Sequence, residues 1–482
     1  MKAVSEINPE RVFFYFQTIS GIPRGSRNTD KISSYLMGFA AEHGLEASRD
    51  AANNVVIRKK GTEGYEKAPT VILQGHTDMV CEKKPGSSHD FLHQGLKLKA
   101  EGDYLYAEDT TLGGDDGIGA AYMLAVLESD TAAHPPLEAV FTSDEEIGML
   151  GAAALDMSAL KGRILINLDS EEEGHLLAGC AGGLTAGCRL PVRFGAVSGF
   201  WYEIKITGLA GGHSGSEIDK NRANANLLAG RLLYRLGQQT EYVLSELEGG
   251  EKDNAIPRET RMLLAVDSGD GELLKSSLAQ LQEEFSKEYE GSETQIRIEV
   301  TSKGAGTEPG LHPTSLQKVI FFLMNVPDGI EKMSGEISGL VQTSSNLGIL
   351  KLTPEYLEAS VSVRSSLGSA KEALADRICY LTEFLGGEYE ASGSYPAWEF
   401  RRESPLREMM AEVWREMYGY EPRVDVIHAG LECGLFYGAL EDLDCVSIGP
   451  DILDIHTTEE KLSVSSAGRV YAFLLRVLEK IR

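Results

Sequence analysis

The sequence predicts an α/β protein in which a mixed sheet flanked by helices is interrupted by an inserted α+β domain. Three observations predict it. Between Val71 and Asp169 short apolar strands alternate with a helix, the pattern of a sheet covered on both faces. From about Leu184 to about Ser394 the pattern changes to alternating, half-exposed strands mixed with helices. Beyond that, an apolar strand and a closing helix return to the first character. The domains expected are therefore residues 1–183 and 395–482 as one folded body and residues 184–394 as the insertion.

Each element has its own reason. Val71-Ile-Leu-Gln-Gly75 is an apolar run ending in glycine, a buried strand. Gly117–Glu128 is rich in Ala, Leu and Met on most sides, a buried helix, and Leu137–Thr142 and Arg163–Leu168 are two more strands. In the insertion, Phe200–Thr207 alternates like a half-exposed strand and Ala223–Leu236 is an amphipathic helix. Arg261–Val266 and Gln295–Val300 alternate again, with a helix near Glu272–Tyr289 between them. Leu316–Asn325 reads as helix and Tyr356–Ser365 as strand; after another helix, Tyr389–Ser392 is a short strand before Pro396. Gly249–Asp253 and Gly304–Pro313 read as loops. Cys445–Ile448 is the last strand and Ser465–Ile481 the last helix.

Composition narrows the class. The chain has 482 residues, more than one core can fill, since single cores stop growing near about 250–300 residues. It carries 46 Lys and Arg against 73 Asp and Glu, a net charge of −27. So acidic a surface repels phosphate backbones and anionic lipid, which argues against nucleic-acid and membrane partners. No apolar run reaches the roughly 18 residues of a membrane span, and the first residues lack the basic and apolar regions of a secretory signal. The six cysteines are scattered without C-x-x-C spacing, as expected of reduced thiols in the cytoplasm.

The residues able to carry chemistry sit just past strand ends. His76 and Asp78 follow the first strand, Glu145 and Glu146 the second, and Asp169 the third; Asp115 opens the buried helix. In open α/β sheets ligands bind at the carboxyl edge of the strands. Carboxylates crowded there repel one another unless a cation neutralises them. One His with several carboxylates and no thiolate suits Zn²⁺, Mn²⁺ or Co²⁺. The carboxylates exceed what one ion needs, so two ions sharing a bridging carboxylate would use them better. Asp78 is spaced to hold the His76 imidazole, and one of the adjacent glutamates can bind metal while its neighbour faces substrate as a base.

These motifs resemble a known family. His76-Thr-Asp78, Leu112-Gly-Gly-Asp115-Asp-Gly117, Ser143-Asp-Glu145-Glu146-Ile-Gly148 and Asn167-Leu-Asp169-Ser-Glu-Glu172 are similar to signatures of the dizinc aminoacylase/carboxypeptidase-type peptidases. Gly179-Cys-Ala-Gly-Gly183, Gly211-Gly-His213-Ser-Gly215, Asn254-Ala-Ile-Pro-Arg258, Val363-Arg364-Ser-Ser366, His428-Ala-Gly-Leu-Glu-Cys-Gly434 and Ile448-Gly-Pro450 with His456 narrow the likeness. They resemble the aminoacyl-histidine dipeptidases, or cytosol non-specific dipeptidases, along essentially the whole chain. Asp116 stands where that family usually carries Asn, and His456-Thr-Thr-Glu459 replaces a more usual His-Ser-Pro.

The resemblance implies a catalytic domain with an inserted lid and dimerisation domain, and two Zn²⁺ per subunit, with Co²⁺ or Mn²⁺ as substitutes. His76 and Asp169 would hold one ion, Glu146 and His456 the other, and Asp115 would bridge them through a cis Asp115–Asp116 peptide. Asp78 would orient His76, and Glu145 would be general base and acid toward a metal-bridged hydroxide. His213, Asn254 and Arg364 would bind substrate, Arg364 gripping the terminal carboxylate and His213 polarising the scissile carbonyl, reaching into the partner subunit of a homodimer. The implied activity is hydrolysis of unblocked dipeptides with broad specificity, a range that could extend to Xaa-His. An N-acyl-amino-acid amidohydrolase, or a peptide-sensing protein with an inactive core, remains as an alternative on the sequence.

Overall fold

The computed structural model describes residue 4 and residues 7–293 and 295–482; the N-terminal signal reading falls partly outside them. The chain divides into two compact units. The first comprises residues up to Cys180 with Phe400–Val426 and Leu431–Arg482; the second comprises Ala181–Glu399 with Ile427–Gly430.

The first unit is built on an eight-stranded mixed sheet. Its order is Glu46–Arg49, Val55–Lys59, Leu137–Thr142, Val71–His76, Ile164–Asn167, Asp444–Ser447, His175–Cys180, Arg423–Ile427. Leu137–Thr142, Val71–His76, Ile164–Asn167 and Asp444–Ser447 run parallel at its centre. Both Val71–His76 and Leu137–Thr142 are buried along their whole length, which is why they read as mostly apolar runs, broken inside only by Gln74 and Glu138. Hydrogen bonding assigns the next helix to Gly114–Glu128, but Asp115 (φ −79°, ψ 112°) and Asp116 (φ −105°, ψ 38°) are not helical. The regular helix thus starts at Gly117, where its apolar pattern starts. The closing helix Val464–Lys480 lays its apolar face on this core, where Phe473 meets Trp414 edge-on at 5.0 Å and Tyr471 stacks on Tyr122.

Register decides where chemistry can sit. His76 lies opposite Thr142, so those two strands end level, while Ile164–Asn167 stops opposite Gln74, two residues short of His76, at the same edge. The loops that follow therefore emerge from one edge.

The second unit is an antiparallel nine-stranded sheet with helices Ala225–Leu236, Gly271–Glu288, Pro313–Asn325 and Gly368–Phe384 packed into one apolar core. Two readings need correcting. Gly304–Pro313 is not a loop: the strand Arg297–Leu311 continues through it, pairing Gly306 with Gly199 and Leu311 with Phe194. Its glycines and Pro309 obscure a strand at the sheet edge, where proline is tolerated. The following helix begins at Pro313 rather than Leu316, because proline suits the first helical turn. The strand Val341–Leu352 gave no periodic signal, since its buried residues Gln342 to Asn346 are polar. No helix among the described residues is long and apolar enough to cross a membrane.

Candidate active site

Seven of the residues singled out in the sequence meet at the carboxyl edge of the first unit's sheet. His76 ends its strand, Glu145 and Glu146 follow the strand ending at Thr142, and Asp169 stands two residues past Asn167. Asp115 is presented by the non-helical residues at the head of the buried helix, and the Asp115–Asp116 peptide is cis. His456 comes from the loop between Ile452–Leu453 and Lys461–Ser463.

Asp115 is the centre of this arrangement. Its Oδ1 lies 2.9 Å from His76 Nε2, and its Oδ2 lies 3.1 Å from His456 Nε2. Asp169 Oδ1 stands 3.5 Å from the same nitrogen of His76, and Glu146 Oε2 stands 3.1 Å from that of His456. Two sets of donors thus share one carboxylate: His76 with Asp169, and His456 with Glu146. His76 and the carboxylates of Asp169 and Glu146 are almost wholly enclosed, whereas His456 is 46% exposed and forms the mouth.

Asp78 serves the neighbouring loop as well as the imidazole. Its Oδ1 is 3.5 Å from His76 Nδ1, longer than a good hydrogen bond, and also accepts the Glu145 N–H at 3.0 Å. Its Oδ2 accepts from Ser26 Oγ at 2.8 Å and from the Glu146 N–H at 3.3 Å. One buried carboxylate therefore ties the His76 loop to the glutamate loop. Asp116, the departure from the family pattern, is also used: it accepts the N–H of His76 at 3.1 Å and of Gly119 at 3.0 Å. Gly75 must be glycine beside it, because a Cβ there would fall 2.1 Å from the Asp116 carboxylate.

Acids this close together cannot all ionise in a metal-free site. Burial pushes Asp169 up to about 7, against the pull of His76 and with Asp115 adding to the rise. Burial lifts Glu145 well above the ordinary carboxyl range; His76 opposes this while Asp169 and Glu432 reinforce it. Burial would lower His76, but Asp169 and its hydrogen bond to Asp115 hold it well above its usual value. Hydrogen bonds to Asp115 and Glu146 raise His456 to about 11.

The residues fit a bound metal on two structural grounds. One ligand atom each from His76, Asp115 and Glu146 falls within 4.8 Å of the others, and Glu146 Oε1 is buried with no hydrogen-bond partner among the described residues. The donors are imidazole and carboxylate without thiolate, a set suited to Zn²⁺, Co²⁺ or Mn²⁺.

The remaining three residues lie in the second unit. His213 pairs with Ala255 in a two-residue ladder, and its Nδ1 accepts N–H groups from Gly215 (3.2 Å) and Ser216 (3.1 Å). That fixes the ring proton of the neutral form on Nε2. His213 and Asn254 line one cavity of about 990 Å³. Arg364 does not line that cavity. Its Nη1 donates to Tyr395 Oη at 3.0 Å, while its Nε is buried without a partner among the described residues. Close by in the same unit, His428 is lowered to about 4 by burial and by the charge of Arg364, and hydrogen-bonds Ser344 at 2.7 Å.

Sequence reasoning missed Glu432, Arg24 and Glu460. Glu432 is fully buried and takes hydrogen bonds from Gln74 and Thr142, both at 2.5 Å; burial raises it to about 8. It stood inside a quoted motif without a role. Arg24 and Glu460 bind backbone groups, and no spacing marks such partners.

Residues 72–480 match the family model of peptidase family M20/M25/M40. The chain is 35% identical over 483 residues to the cytosol non-specific dipeptidase of Escherichia coli (strain K12), covering 100% of this chain and 99% of that protein. Its fold matches the crystal structure of aminoacylhistidine dipeptidase from Vibrio alginolyticus with a TM-score of 0.90 and 34% identity, covering 100% of this chain and 98% of that one. The aminopeptidase PepT from Bacillus cereus shares the fold at a TM-score of 0.57 and 16% identity, over 98% of this chain and 99% of that one.

The protonation pattern has a measurable consequence. The proton on His456 is held by Asp115 and Glu146, so this pairing is complete below the ordinary histidine value of 6.5 and lost as pH rises through about 11. A metal takes the neutral imidazole and the ionised carboxylate, so at pH 7 zinc must expel protons from His76 and His456 and the fraction of one that Asp169 still holds, more than two in all. Calorimetry in buffers of different ionisation enthalpy should record that release, with zinc affinity weakening as pH falls from 8 to 6. Uptake without proton release would contradict the pattern.

Proposed function

Because the chain belongs to peptidase family M20/M25/M40, we propose that it is a zinc-dependent dipeptidase cleaving unblocked dipeptides with broad specificity, Xaa-His substrates included. It is a hydrolase of the dipeptidase branch, as its full-length likeness to the Escherichia coli and Vibrio alginolyticus enzymes supports. One observation carries the reading: the two oxygens of Asp115 face two different imidazoles, each with its own second carboxylate. His76, Asp169 and Asp115 would hold one ion and His456, Glu146 and Asp115 the other. Ions bound there would supply a water acidified toward neutrality and a Lewis acid for the scissile carbonyl.

The chain's own groups do the rest. Glu145, whose carboxyl favours its proton more than an ordinary glutamate, takes one from the attacking water and delivers it to the leaving amine. Its backbone N–H is pinned by Asp78, which fixes where the carboxyl begins. In the inserted unit, His213 offers Nε2–H to the developing oxyanion, a donor whose tautomer Gly215 and Ser216 set. Arg364 keeps a buried, unused N–H on a planar fork suited to a terminal carboxylate, and Asn254 binds substrate from the cavity that His213 lines. The inserted unit would form a homodimer, with His213 acting on the partner's substrate, and the protein would work in the cytoplasm.

Two experiments test the reading. A panel of free dipeptides should be hydrolysed by the zinc-loaded protein, and N-acetylation of the same dipeptides should abolish most turnover; preference for the acetylated forms would make it an N-acyl-amino-acid amidohydrolase instead. Separately, Glu145→Ala should retain its zinc while losing about 10²–10⁴ in rate, whereas Glu146→Ala should lose or loosen one ion. Near-normal turnover by Glu145→Ala, or metal loss from it but not from Glu146→Ala, reverses the assigned roles.

A further inference from the structure

The turn Leu112-Gly113-Gly114 delivers Asp115, and two buried side chains hold its backbone, one through N–H groups and one through a carbonyl. Glu460, 3% exposed, accepts the N–H of Leu112 (2.8 Å) and Gly113 (3.1 Å) on Oε2 and that of Gly114 (2.8 Å) on Oε1. Three successive backbone N–H groups form the kind of concavity that elsewhere holds a bound anion. Here the protein fills it with its own carboxylate. Arg24, 2% exposed, donates from Nη2 to the Gly113 carbonyl (2.5 Å) and from Nη1 to the carbonyls of Thr77 (3.0 Å) and Asp78 (2.9 Å).

The glycines of the motif are the space these two side chains occupy. A Cβ on Gly113 would fall 2.6 Å from Arg24 Nη2, and one on Gly117 would fall 2.5 Å from it. Gly113 also has φ +64°, which favours glycine on its own account. A Cβ on Gly114 would come within 3.2 Å of Glu460 Oε1. The connections reach three ligand-bearing segments. Glu460 follows His456 by four residues, so a single loop supplies an imidazole to Asp115 and a carboxylate to the turn before it. Arg24 ties that same turn to the two residues after His76.

We propose that Glu460 and Arg24 are positioning residues for the metal pair, which together fix the Asp115 carboxylate between the two ions. The proposal rests on the reading of Asp115 as the shared ligand. Neither side chain touches a ligand atom; both act through the backbone of the turn. Glu460→Gln replaces one acceptor oxygen with an NH₂ facing backbone N–H groups, and Arg24→Lys keeps the charge but loses the fork that spans Gly113 and Thr77-Asp78.

The test is zinc affinity of the metal-stripped protein, measured by competition with a chromophoric chelator, with the melting temperature of the stripped form alongside. Loss of an outer partner costs about 10–100-fold in metal affinity, and that weakening is expected in both variants, with kcat falling and KM for a dipeptide little changed. It should occur in stripped proteins that still melt cooperatively near the wild-type temperature. Wild-type zinc affinity in either folded variant overturns the proposal. So does failure of both to fold, since the two residues would then be props of the fold rather than of the turn. Asp115→Asn separates the two levels: if it binds zinc normally, the shared-ligand reading fails; if it alone loses zinc, only the present proposal does.

Discussion

A single carboxylate with an imidazole on each oxygen organises the first unit. His76 reaches Asp115 from the end of a central strand, and His456 reaches it from a loop 341 residues further along the chain. Neither approach works unless Asp115 stands off the helix it opens, which its extended backbone (ψ 112°) allows. Around it the sequence gathers more acid than a protein tolerates unaided. Burial lifts Glu171 and Glu432 each to about 8, so without a cation the site holds protons where it would hold charge. The dependence of the structure on this carboxylate is thus also a dependence on positive charge, which the two imidazoles supply in part.

The support is mostly backbone. Asp78 accepts N–H groups from the glutamate loop, Asp116 from His76 and Gly119, and Glu460 from the turn before Asp115. Each takes a carboxylate out of water, which is costly unless its oxygens are fully engaged. All three are engaged, and each links segments far apart in sequence. Arg24 does the same with opposite polarity. Loops held in this way keep their side chains in place without relying on the side chains' own contacts, which leaves those free for ligands and substrate.

Much of this was legible in the chain, for identifiable reasons. The central strands are almost wholly buried, so they appear as apolar runs, and they end at one edge of the sheet, which is why His76, Glu146 and Asp169 each follow a run. What was not legible falls into two kinds. The strand Val341–Leu352 buries Ser344, Ser345 and Asn346, the last donating to the carbonyls of Asp253 and Ala255, so hydropathy misreads it. Ile427–Gly430, between two stretches of the first unit, belongs to the second, where Ala181 N–H donates to Ile427 and Ala429 carbonyls. Such partners are backbone atoms, identical at every residue, and a sequence cannot announce them. The same is true of Arg24 and Glu460, whereas Asp115 was found at the head of the buried helix and His456 because family motifs surround it.

The account stands on Asp115 belonging to two ions at once. Diffraction from zinc-soaked crystals, recorded on both sides of the zinc absorption edge, tests this most directly. Two anomalous peaks about 3.5–4 Å apart, one beside each oxygen of Asp115, with His76 and Asp169 on the first and His456 and Glu146 on the second, are the predicted result. A single peak, or a pair with Asp115 bound to one ion alone, would contradict it.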